Sequence, residues 1–140
     1  MPNPSVTNFN PVEFYNLASW LFQTRPSLSE QSLKRTIIGR AYYAALLSGS
    51  KKTGTSTRGL DSHNLIIDAV QKINSQAANN LRTMKKRRKE ADYEFSLVNE
   101  RDVQLSLRES RVVLELLGFI SPSDPKQTKD YLDKSKFFTP

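Results

Sequence analysis

A chain of 140 residues, 37% hydrophobic, 9% aromatic and 25% charged, has the size of one domain with one core, and its apolar content excludes disorder of the whole. Lys and Arg number 21 against 14 Asp and Glu, for a net charge of +7 and a pI near 9.8; this calls for an acidic partner, with nucleic acid ahead of an anionic membrane surface. There is no cysteine, which excludes disulfide and thiolate chemistry and makes the reducing cytoplasm the expected location, with no signal-peptide pattern and no apolar run near the roughly 20 residues of a membrane span.

Residues 1–9 read as an extended lead. Asn10-Pro11-Val12-Glu13 then has the form of a helix start: the Asn side chain can accept from exposed backbone N–H groups, proline suits the first helical position, and Glu13 can reach back as in a capping box. Phe14, Leu17, Ala18, Leu21 and Phe22 recur at helical spacing, with Trp20 at the edge of their face. Arg25-Pro26 ends the run, because the residue before proline disfavours the helical region. Ser27-Leu28-Ser29-Glu30 predicts a second capping box, opening a helix of about 20 residues that stops at Gly49. Leu33, Ile37, Ile38, Ala41, Tyr42, Ala44, Ala45 and Ser48 give this helix a broad apolar and small face, so it is expected at the centre of the fold. Arg35 and Arg40 place two permanent cations on the same core-like element.

Residues 50–60 read as a flexible cationic loop rich in Gly, Ser and Thr. Asp61 or Ser62 caps a third helix with the stripe Leu65, Ile66, Ala69, Val70 and Ile73. A fourth carries Leu81 and Met84 into Lys85-Lys86-Arg87-Arg88-Lys89 and on to Ala91-Asp92-Tyr93, with Phe95 after it. A fifth starts near Asn99, with Asp102 three residues on, and presents Val103, Leu107, Ser110, Leu114 and Leu117, flanked by Leu105 and Val113, until Gly118 ends it. After Ile120, Ser-Pro-Ser-Asp-Pro leads into a polar tail ending in Phe137-Phe138. No alternating strand pattern and no repeat occurs. The expectation is an all-α bundle of four long helices and one short or irregular one, in a domain over residues 1–120 with a C-terminal tail over 121–140.

Three segments carry a resemblance. Arg40-Ala41-Tyr42-Tyr43-Ala44-Ala45-Leu46-Leu47, then Ser62-His63, then Arg88-Lys89-Glu90-Ala91-Asp92-Tyr93 resemble, in order and spacing, motifs of one prokaryotic branch of the HEPN superfamily (higher eukaryotes and prokaryotes nucleotide-binding domain). The likeness spans roughly residues 11–118. It implies a HEPN-like helical bundle that acts on RNA. HEPN ribonucleases carry an Arg followed closely by a His, and Arg58-Gly59-Leu60-Asp61-Ser62-His63 fits that pattern. Many relatives place a histidine where this chain has Leu47, so an acid–base histidine on the central helix is missing. On this mapping His63 moves a proton as the ribose 2′-hydroxyl attacks the adjacent phosphate, without metal, leaving a cyclic phosphate. Arg58 or Arg40 would then hold the phosphate oxygens. The resemblance also implies a homodimer whose cleft is lined by both copies, and it admits an antitoxin or nucleotidyltransferase partner.

Histidine is the side chain that accepts and donates a proton near neutral pH without much tuning, and this chain has one. Among the exposed N–H groups of a helix start, His63 should be held neutral; the alternative is a structural residue bonded to a backbone carbonyl or to Tyr42 or Tyr43. Arg40, on an apolar face, calls for a carboxylate or a phosphate, and Asp92 is the expected ion-pair partner, with Tyr93 packed nearby. Tyr42 and Tyr43 cannot face the same way: one enters the core while the other stacks on a base or bonds at a cleft.

The run from Arg82 to Lys89, with one face built from Arg82, Lys85, Lys86 and Lys89, repels itself and is best understood against an anion. Together with Arg88 and Tyr43 these form the expected RNA-binding set; the alternative is a solvated face partly neutralised by Glu90 and Glu94. No metal-ligand spacing, phosphate-cradling glycine loop or nucleophile elbow is present, so neither a metal site nor a cofactor is expected. Two readings follow: a metal-independent endoribonuclease of a toxin or defence system, and a catalytically silent HEPN module that binds RNA or a protein partner. A helical DNA-binding regulator fits less well, since no helix-turn-helix with a basic recognition helix is visible.

Overall fold

The computed structural model describes residues 9–25, 30–93 and 97–121. Five helices follow in order: α1 (Val12–Thr24), α2 (Glu30–Thr53), α3 (Ser62–Ile73), α4 (Ser75–Tyr93) and α5 (Glu100–Leu116). No strand occurs among the described residues, so the all-α class holds. All five helices are regular, α1 and α3 being the shortest at 13 and 12 residues.

Helix α2 packs against each of the other four, while α4 bridges α3 and α5. Its Ile37, Ala41, Tyr42, Ala44 and Ala45 are completely buried. The large side chains contribute about 1.5–3 kcal/mol each, and the alanines let neighbouring backbones come close. Helix α2 does not stop at Gly49; it continues through Ser50 to Thr53, and Gly54, at φ 71°, follows its end. A Cβ on Gly49 would lie 2.9 Å from Val70 Cγ2 and 3.1 Å from Ile66 Cγ2, so this glycine marks the close approach of α3.

The apolar stripe of α3 is also narrower than its sequence suggests. Ser62, Ile66, Ile67 and Val70 are buried, whereas Leu65 and Ile73 are 53% and 54% exposed. Contacts of α2 with α3 pair Tyr42 with His63 and Gly49 with Ile66 and Val70. Both helices therefore advance in the same sense, and residues 54–61 carry the chain back so that the start of α3 lies beside the middle of α2.

Local signals set the boundaries. The Asn10 side chain accepts from the Val12 N–H at 3.1 Å, as expected, but Glu13 is exposed and does not close a box. Arg25, in the left-handed region at φ 44°, ends α1, and its guanidinium meets Glu100 Oε2 at 2.6 Å. The expected Ser27 box lies outside the described residues, as do Phe95 and the tail from 122 onward. Asn74 serves two helices: its N–H donates to the Val70 carbonyl at 2.8 Å, and its side chain accepts from the Ala77 N–H at 3.0 Å. At α5 both halves of the capping box form between Asn99 and Asp102. Past Leu116 the Gly118 N–H donates to Glu115 and the Phe119 N–H to Leu114, the paired bonds by which a glycine at φ 85° closes a helix end. Capping contacts of this kind are worth about 1 kcal/mol each.

Candidate functional site

The loop before α3, the start of α3 and the second half of α4 meet around one cleft of about 410 Å³, with the middle of α2 packed behind His63. Residues 59–64 form one wall, and Lys85, Arg88, Lys89 and Tyr93 form the other. The α4 residues lie three, four and eight positions beyond Lys85, which is the spacing of one helix face.

His63 stands where the walls meet. Its Nδ1 lies 3.0 Å from the Tyr42 hydroxyl, and the Tyr43 ring packs edge-on to it at 5.9 Å. Tyr42 is completely buried, and burial pushes its phenol pKa well up, so the phenol keeps its proton. A buried hydroxyl has to donate, and His63 Nδ1 is the only hydrogen-bond partner of the Tyr42 hydroxyl among the described residues. Nδ1 is therefore the acceptor, and neutral His63 carries its proton on Nε2. Burial, then the Lys85 ammonium, then the Arg88 guanidinium lower the His63 pKa. The neutral form expected of a helix-start histidine is thus favoured mainly by desolvation and by neighbouring cations.

Two of the cations are held, each by different contacts. Lys85 Nζ donates to Asn64 Oδ1 at 2.6 Å. Arg88 Nε lies 2.8 Å from Asp92 Oδ2, and its guanidinium sits over the rings of Tyr43 and Tyr93 at 5.4 and 5.7 Å. Lys89 is exposed at the rim. The Asp61 carboxylate also faces this cleft; it accepts from the Asn64 amide at 2.8 Å and does not cap α3. Outside the Arg88–Asp92 pair, Lys85 and Lys89 thus stand against the single carboxylate of Asp61, and the Tyr93 ring lines the cleft beside them.

The structure divides the candidate residues. It brings together His63, Lys85, Arg88 and Lys89, with Tyr43 behind them. Arg58 is exposed and does not line the cleft, although Gly59 beside it does. Arg82 turns toward α3, donating to Gln71 Oε1 at 2.8 Å and standing 3.9 Å from Asp68. Lys86 is exposed and lies outside the cleft. Arg87 points the other way, to Ser106 and to Glu109 at 2.9 Å on α5.

The expected Arg40–Asp92 pair does not form. Asp92 is taken by Arg88 one turn earlier on its own helix, and Arg40 is exposed with its guanidinium 5.1 Å over the Phe14 ring. The end of α4 is instead tied to α2 by Arg35, whose Nη1 donates to the Ala91 carbonyl. Arg35 was legible as a cation on an apolar helix, but its partner, a backbone carbonyl, leaves no mark in sequence. Tyr93, 70% exposed at the rim, was legible only through the Ala-Asp-Tyr motif.

Among the described residues no group of three His, Cys, Asp or Glu side chains could hold a metal, and no helix is long and apolar enough to cross a membrane. Comparison with protein families, with curated proteins and with solved structures finds no match to this chain.

Proposed function

We propose that this protein acts on RNA as a HEPN-type helical domain, seating a phosphodiester in the α3–α4 cleft and cleaving it without metal. The observation that carries the reading is the convergence of the chain's only histidine with Lys85, Arg88 and Lys89 in one cleft. Lysine and arginine supply the charge that draws and fixes the backbone, and Tyr93 at the rim supplies a ring face on which a base can stack. Attack of the 2′-hydroxyl on phosphorus breaks the bond to the departing 5′ oxygen. The net change moves one proton between those oxygens and consumes neither water nor a metal ion. With its proton on Nε2, His63 enters as a donor to a phosphate or leaving oxygen, in the manner of a neutral imidazole electrophile. A toxin or defence role, a homodimer that supplies a second histidine, and an antitoxin or nucleotidyltransferase partner belong to the same proposal.

The bond between Tyr42 and Nδ1 favours a second reading, RNA binding without turnover, because it leaves the single imidazole unable to accept a proton in its resting tautomer. One experiment separates the two. Purified protein is incubated with structured RNA in the presence of a chelator, and products are assayed for cyclic phosphate ends. Cleavage that disappears in His63→Ala establishes the enzyme. Salt-sensitive binding without cleavage establishes the second reading, and absence of both refutes the proposal.

A further inference from the structure

On the other side of Arg88 lies a second cavity, of about 280 Å³, lined by Arg35, Gly39, Arg40, Tyr43, Arg88 and Asp92. Three guanidinium groups face it against one carboxylate. That carboxylate is committed to Arg88 at 2.8 Å, and Arg35 is anchored to the Ala91 carbonyl and reaches Gln31 at 3.5 Å. Arg40 makes no ion pair among the described residues; its guanidinium is placed only by the Phe14 ring. Gly39 leaves the floor open, since a Cβ there would meet nothing within 4 Å. Arg88 lines both cavities, so the two are neighbours across one side chain rather than separate features of the surface.

We infer that the Arg35–Arg40–Arg88 cavity is a second phosphate seat, which takes the phosphate adjoining the one held at His63, so that the unit recognised is a dinucleotide or longer. The inference rests on the RNA reading of the first cleft. Shared use of Arg88 gives it a physical basis: one guanidinium presents donors in a fixed plane and can bridge oxygens of successive phosphates, while Arg40 supplies the charge that the second phosphate meets. A mononucleotide fills the first seat alone and gains nothing from Arg40.

The test measures binding of a 2′-O-methyl hexauridylate, which cannot be cleaved, and of uridine monophosphate, by fluorescence anisotropy and by competition. Three variants are compared with the wild type: Arg40→Gln removes the free cation, Gly39→Glu places a carboxylate on the open floor, and Lys89→Ala weakens the first cleft. Thermal melts check folding, which neither position 39 nor position 40 should disturb, since the first meets open space and the second is exposed. Arg40→Gln and Gly39→Glu should each bind the hexanucleotide about tenfold more weakly, the loss of one charge-assisted contact, and bind the mononucleotide as the wild type does. The salt slope for the hexanucleotide should fall by about one in Arg40→Gln. Wild-type binding of the hexanucleotide by Arg40→Gln overturns the second seat, whatever Gly39→Glu does; an equal loss for the mononucleotide overturns it too. If Lys89→Ala still weakens binding in either case, the reading of the first cleft survives. A wild-type protein that binds no hexanucleotide overturns both.

Discussion

Gly49 sets how closely α3 approaches α2, and replacing it by alanine gives that approach a measurable energy. The added methyl would sit 2.9 Å from Val70 Cγ2 and 3.1 Å from Ile66 Cγ2, about 0.5–1 Å inside the range of favourable carbon contacts. Both neighbours are β-branched, completely buried and on a helix, so neither side chain can rotate away at small cost. Overpacking of this kind costs about 1–3 kcal/mol. Alanine recovers up to about 1 kcal/mol of helix propensity, which leaves Gly49→Ala destabilised by roughly 0–2 kcal/mol. Gly39 on the same helix is the matched control: it gains the same propensity and meets nothing within 4 Å, so Gly39→Ala should be stabilised by about 0.5–1 kcal/mol. Urea unfolding of the two variants, at equal slopes, should show Gly49→Ala below Gly39→Ala by about 1–3 kcal/mol. Equal stability would refute the close contact of α2 with α3. The register that brings Tyr42 to His63 would then lose its support as well.

Two further outcomes concern the site. Burial, Lys85 and Arg88 hold the His63 pKa below its ordinary 6.5, so the unfolded chain takes up this proton at a higher pH than the folded chain does. Stability should therefore fall as the pH drops below about 6.5 and level off beneath the folded pKa. The lone imidazole gives a single proton NMR titration, whose midpoint should rise in Lys85→Met; a wild-type midpoint at or above 6.5 would refute the desolvated setting. Ring nitrogen shifts should place the His63 proton on Nε2 in the wild type and populate both tautomers in Tyr42→Phe, and a wild-type proton on Nδ1 would refute the direction assigned to the Tyr42 hydrogen bond.

Helix α5 was fully legible because each of its determinants is local. Asn99 and Asp102 close the capping box, Val103, Leu107, Ser110, Leu114 and Leu117 face the core, and Gly118 turns left-handed after the last turn. The end of α2 was misread for the converse reason. A glycine that stops a helix and a glycine that admits a neighbouring helix look alike in sequence, and only Ile66 and Val70 show which one Gly49 is. In α3 five large apolar residues in nine positions leave the facing direction ambiguous, and contact with α2 and α4 buries Ile67 while leaving Leu65 and Ile73 in solvent.

The cationic run of α4 shows how far charge density alone can be taken. Six cations between Arg82 and Lys89 read as one anion-binding face, but successive residues turn by about 100° and the bundle assigns them different tasks. Arg82 braces α3, Arg87 is paired with Glu109 on α5 where both side chains are largely buried, and Lys86 stays in solvent. What remains for a ligand is Lys85, Arg88 and Lys89, fewer cations than the sequence offers, but set beside the histidine. The Ala-Asp-Tyr motif yields to the same reasoning: a carboxylate has a nearer cation four residues back on its own helix than on α2, so Asp92 pairs with Arg88 and Arg40 is left to face the second cavity. A long-range partner should be sought for a charge only after its own helix has failed to supply one. By that order Arg40 is the cation in the middle of α2 that stays available to something outside the chain, as the exposed Lys51 and Lys52 are at its end.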